Sequence, residues 1–70
     1  MGRHLTFDIL PDGGGGYHAR CRQADIFTQG ETLDEVRKNV LEAVQGHFFD
    51  QPNDYFVNFQ VAEERVRIPA

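Results

Sequence analysis

Two alternating runs separated by four consecutive glycines commit the start of this chain to a β-hairpin. In residues 4–10, Leu5, Phe7 and Ile9 alternate with Thr6 and Asp8, the period-two pattern of a strand with one covered face. Pro11 and Asp12 lead into Gly13, Gly14, Gly15 and Gly16, which break the strand and supply positive φ for a reversal. Beyond them, in residues 17–22, Tyr17, Ala19 and Cys21 alternate with His18, Arg20 and Arg22. The glycine run is not a phosphate cradle. It lacks the following Lys-Ser/Thr and enters a strand rather than a helix.

The remaining elements follow from the same patterns. Residues 26–28 read as a short third strand, and Gln29, Gly30 and Glu31 as a turn. Thr32 with Glu35 three residues on is a capping box at the start of a helix, and Glu31, Asp34 and Glu35 suit the positive end of its dipole. Leu33, Val36, Val40, Val44 and Phe48 recur at helical spacing, with Leu41 and Ala43 widening the stripe. Gly46 and the polar residues 50–54 end the helix. Residues 54–68 return to strand character. Tyr55, Val57, Phe59 and Val61 alternate with Phe56, Asn58 and Gln60, and Glu63-Glu64 marks a bend before Val66 and Ile68. The expected fold is α+β, in the order β-β-β-α-β: an antiparallel three-stranded meander plus a fourth strand, with one helix packed on one sheet face. A right-handed crossover places the last strand beside the first and parallel to it. No repeat or linker interrupts residues 1–70, which read as a single domain.

Size makes association attractive. A chain of 70 residues buries only about 60% of its unfolded surface. Such a core rarely supplies more than roughly 3–5 kcal/mol without a staple. Cys21 is the only cysteine, so no disulfide can serve, and Cys21 itself reads as a buried small hydrophobe. One cysteine and the scattered His4, His18 and His47 do not make a metal site. Six phenylalanines and two tyrosines are many for so small an interior. The pairs Phe48-Phe49 and Tyr55-Phe56 put aromatics on both sides of their elements, so one member of each enters the core and the other needs different cover. These four residues are the expected interface of a homodimer or higher oligomer, with the free sheet edge of residues 54–61 the first choice for the contact and Phe48 or Phe49 the second.

A net charge of −4 argues against general DNA or RNA binding, which draws its affinity from phosphate neutralisation. No apolar run approaches the roughly 18 residues of a membrane span, and no apolar core of a signal peptide is visible. Met1 to Thr6 fits the loose N-myristoylation pattern, but reads as the lead-in to a strand. The expected compartment is the cytoplasm.

Residues 16–44 resemble the HicB antitoxin-like family. Gly16-Tyr17-His18-Ala19-Arg20-Cys21 is similar to that family's Gly-Tyr-x-Ala strand. Asp25-Ile26-Phe27-Thr28-Gln29-Gly30-Glu31-Thr32-Leu33-Asp34-Glu35-Val36 is similar to its Thr-Gln-Gly-(Asp/Glu)-Thr-(Leu/Ile)-x-Glu-Ala run, with Asn39, Ala43 and Val44 continuing the match. Val36 stands where the family usually has Ala. The resemblance implies a truncated ribonuclease-H-like fold that masks a small mRNA-cleaving toxin of the HicA type. Family members often append a DNA-binding helix-turn-helix or ribbon-helix-helix segment. The residues after the helix here read as strand instead, so direct DNA binding is not expected.

The expected function is therefore an antitoxin-type or orphan regulatory module that binds a protein partner, without catalysis or cofactor. His18, Arg20 and Arg22 form a basic stripe, and Gln29 has no evident structural role, so these four are the candidate partner-binding residues. The competing reading of the stripe is a solvated face paired across strands with Asp8 or Glu63. Two alternative functions remain. One is a degenerate or active metal-dependent nuclease using Asp8, Asp25 and Glu35, which requires carboxylates converging to hold ions about 4 Å apart. In the predicted register Asp8 faces away from the helix and Glu35 is occupied at the cap. The other is a structural homo-oligomer.

Overall fold

A computed structural model describes residues 3–50, 54–61 and 68–69. The chain runs β1 (Arg3–Pro11), β2 (Tyr17–Cys21), β3 (Phe27–Gly30), α1 (Leu33–His47) and β4 (Tyr55–Val61). The strands form one mixed sheet in the order β3-β2-β1-β4, antiparallel except that β4 runs parallel to β1. The α+β class, the element order and the placement of the last strand beside the first agree with the sequence reading.

The hairpin forms as its glycines require. Gly15 and Gly16 take φ of 100° and 78°, and the Asp12 amide donates to the Gly16 carbonyl at 3.0 Å. Alternation then sorts the strands into two faces. Leu5, Phe7, Ile9, Ala19 and Cys21 point inward, where Ile26 and the helix stripe Val36, Val40, Val44 and Phe48 complete the buried core. Thr32 caps α1, its hydroxyl accepting from the Glu35 amide at 3.1 Å. Among the described residues no bond returns from the Glu35 carboxylate, so half of the capping box forms.

Several boundaries differ from expectation. The third strand is not 26–28 but Phe27–Gly30, because Gln29 and Gly30 pair with His18 and Tyr17 rather than turning the chain. Ile26 instead closes the β2–β3 turn, its carbonyl accepting from the Cys21 amide at 3.0 Å. Gly46 lies within α1, which runs one residue further to His47, and Phe48 caps it, its amide donating to the Val44 carbonyl. Leu41, expected to widen the covered stripe, is 47% exposed. The helix packs closest to β3 and β2, so the side of α1 nearer β4 is left open. The described part of β4 ends at Val61, opposite Ile9. Ile68 lies exposed outside any strand. The bend at Glu63-Glu64 and the continuation at Val66 fall outside the described residues.

Candidate functional site

Among the described residues the sheet has helix on one face only, and the register assembles the other, open face row by row. Arg20 lies opposite Asp8 on one side and Phe27 on the other, and His18 opposite Gln29. His18, Arg20, Phe27 and Gln29 therefore share one patch at the β2–β3 side of the sheet. Phe27 is its centre. The ring is 55% exposed, the His18 imidazole stacks on it with centroids 5.8 Å apart, and the Arg20 guanidinium carbon lies 5.9 Å from its centroid. Such cation–π contacts are worth about 0.5–1 kcal/mol at exposed sites, enough to bias two side chains toward one surface without burying them.

The rest of the basic stripe is already committed. Arg22 grips Asp8 through two bonds, Nε donating to Oδ2 at 2.8 Å and Nη2 to Oδ1 at 2.6 Å. The hydrogen bonds from Arg22, with a smaller charge contribution, outweigh desolvation and hold the Asp8 carboxyl below its ordinary range. His18 Nδ1 lies 2.7 Å from Asp12 Oδ1. Arg20 is the member of the stripe with no carboxylate partner among the described residues. Of the four candidate partner-binding residues, His18, Arg20 and Gln29 come together, while Arg22 serves a cross-strand ion pair. Gln29 has a structural role after all, through its backbone: its carbonyl accepts from Asn39 Nδ2 at 2.8 Å, tying β3 to α1.

Phe27 was missed as a surface residue. The signal was its neighbour: in Ile26-Phe27 only one side chain can face the core, and Ile26 takes it. Gly30 belongs to the scaffold. A Cβ there would sit 2.9 Å from the Val36 amide nitrogen and 3.0 Å from Val36 Cγ2. The glycine is required by the close approach of α1, not by the tight turn expected from sequence.

The four aromatics expected at an oligomer interface divide into two pairs. Phe48 is in the core, stacked on Tyr55 with centroids 4.8 Å apart, and Arg3 lies over its ring. Tyr55 is half-buried beside it. Phe48 and Tyr55 thus pack against each other within the monomer, at the end of α1 and the start of β4. Phe49 and Phe56 are the exposed members, at 85% and 52%, and His4 stacks on Phe56 with centroids 4.9 Å apart. Between α1 and β4 runs a groove of about 420 Å³ lined by Leu41, Val44, Gln45, Phe48, Asp54, Tyr55 and Val57.

The carboxylates do not assemble as two-metal chemistry needs. Asp8 is on the open face, paired with Arg22, while Glu35 is in the first turn of α1 on the covered side. Among the described residues no group of three histidine, cysteine or acidic side chains is placed to hold a metal, and no helix is long and apolar enough to cross a membrane. Cys21 is buried. No family model, curated protein or solved structure was found to match this chain.

Proposed function

We propose that this chain is an antitoxin-type binding module that sequesters a small, basic, HicA-like mRNA-cleaving toxin against the open face of its sheet. The observation that carries the reading is the Arg20–Phe27–His18 cluster. It combines an exposed aromatic ring with a flanking arginine that has no carboxylate partner among the described residues, and arginines and aromatics dominate the binding energy of protein interfaces. The net charge of −4 suits a basic partner, since complementary fields speed encounter. The likeness of residues 16–44 to the HicB antitoxin-like family supports the same reading. So does the β-β-β-α-β order with β4 parallel to β1, which we take as a truncated ribonuclease-H-like core.

The test is capture of a HicA-type protein encoded beside this chain's own reading frame. Arg20→Glu combined with Phe27→Ala changes only exposed side chains, so the fold survives. The expected loss is about 2 kcal/mol or more, roughly thirtyfold in Kd. Undiminished capture by a folded double variant would move the interface off this face. Cleavage of RNA or an RNA–DNA hybrid with magnesium or manganese, abolished by Asp8→Asn, would replace the binding reading with a nuclease.

A further inference from the structure

Among the described residues β4 is an edge strand, and its chemistry is unusual for an edge. Among the described residues nothing pairs with the side of β4 away from β1. Proteins ordinarily protect such edges with charge, proline, bulges or cover. The seven residues Tyr55-Phe56-Val57-Asn58-Phe59-Gln60-Val61 contain no charged side chain and no proline.

The backbone phase of this edge follows from one hydrogen bond. The Arg3 amide donates to the Asp54 carbonyl at 2.8 Å, so Asp54 turns its polar groups toward β1. Strand residues alternate the direction of their N–H and C=O groups. Phe56, Asn58 and Gln60 therefore share the phase of Asp54, and Val57 and Phe59 aim their donors and acceptors at the open edge. The inward side chains of Val57 and Phe59 are only half-buried, because α1 lies over β2 and β3. Leu41 and the groove beside Val57 extend the same apolar surface.

We infer that the occupant of this edge is a second copy of the chain, its β4 paired antiparallel to the first about a two-fold axis at Asn58. The strand is self-complementary in that register. Val57 faces the partner's Phe59 with their backbone groups in phase to exchange hydrogen bonds, about four across the two symmetry-related pairs. Phe56 faces Gln60 on the open face, and Asn58 faces its own copy. A chain of net charge −4 repels itself over most of its surface, and this strip brings no like charges together. Pairing makes an eight-stranded sheet from two four-stranded ones and joins the two half-covered apolar faces into one. It leaves the Arg20–Phe27–His18 patch at the far side of each sheet, so it does not depend on the proposed toxin contact.

Sedimentation of the full chain across the micromolar range tests this. The expected species is twice 8.0 kDa. Asn58→Lys, an exposed substitution that sets two lysines face to face at the axis, should return it to 8.0 kDa. Asn58→Cys should form an intermolecular disulfide on mild oxidation, since residues at a non-hydrogen-bonded antiparallel site approach closely. Gln60→Cys, facing Phe56 instead of itself, should not. Cys21 is buried and does not compete. A wild-type monomer throughout the range would overturn the inference and leave the edge to another protein's strand. A dimer that survives Asn58→Lys, or that cross-links at residue 60 but not at 58, would overturn it equally.

Discussion

Gly30 and Thr32, two residues apart, hold the start of α1 in place by opposite means. Gly30 has no side chain, and a methyl group there would press on the Val36 backbone. Thr32 contributes a hydroxyl that satisfies an otherwise unbonded amide. Gly30→Ala should therefore cost about 1–3 kcal/mol, the usual penalty of overpacking. The informative control is Gly13→Ala, where nothing lies within 4 Å and φ is not positive. There the loss of unfolded-state entropy should make alanine neutral or stabilising by up to about 1 kcal/mol. Thr32→Ala should cost about 1 kcal/mol. Urea midpoints of the three variants check all of this, and an unchanged midpoint for Thr32→Ala would mean the cap bond contributes nothing.

At the scale of elements, β1 and β2 are joined on the open face by the Asp8–Arg22 pair as well as by their ladder. Both side chains are partly open to water, so the pair adds little at neutral pH. Its direction with pH is nevertheless definite. Arg22 lowers the Asp8 carboxyl in the folded state, so the contribution is complete above the ordinary aspartate pKa. It disappears as pH falls through the lower folded value. Carboxyl NMR titration should find Asp8 below the ordinary range and restored toward it by Arg22→Ala. The stability gap between wild type and Arg22→Ala should close as the solution is acidified. A gap that widened in acid would contradict this assignment.

For the whole molecule the limiting quantity is the size of the interior. Ten apolar residues are buried among the described residues, and Phe7, Ile9, Val36 and Val40 are the largest of those with almost no exposure. Phe7 sits in the central strand between β2 and β4. Phe7→Ala should cost about 3–5 kcal/mol, comparable with everything a core of this size supplies. The expected outcome is loss of cooperative unfolding by circular dichroism. A well-folded variant would show that stability comes from elsewhere, and self-association at β4 is the candidate. Loss of area at either proposed surface is different in kind: Phe27 and Phe56 are exposed, and truncating them should spare the fold.

Local patterns determined a great deal about this protein. Alternation in β1, β2 and β4 assigned inward and outward residues correctly, because a side-chain period of two follows directly from strand geometry. The hairpin glycines and the Thr32 cap were legible because each satisfies a purely local demand. Tertiary structure decided what locality does not contain. Register with β2 turned Gln29 and Gly30 from a turn into strand. The position of α1 over β2 and β3 exposed Leu41 and left β4 half-covered. The same packing drew Phe48 and Tyr55 together while leaving Phe49 and Phe56 outside. The Arg20–Phe27–His18 cluster likewise arose only when β2 and β3 came into register. Adjacent aromatics in a sequence carry the same hydrophobicity, and which of them meets water depends on what the rest of the chain places over it.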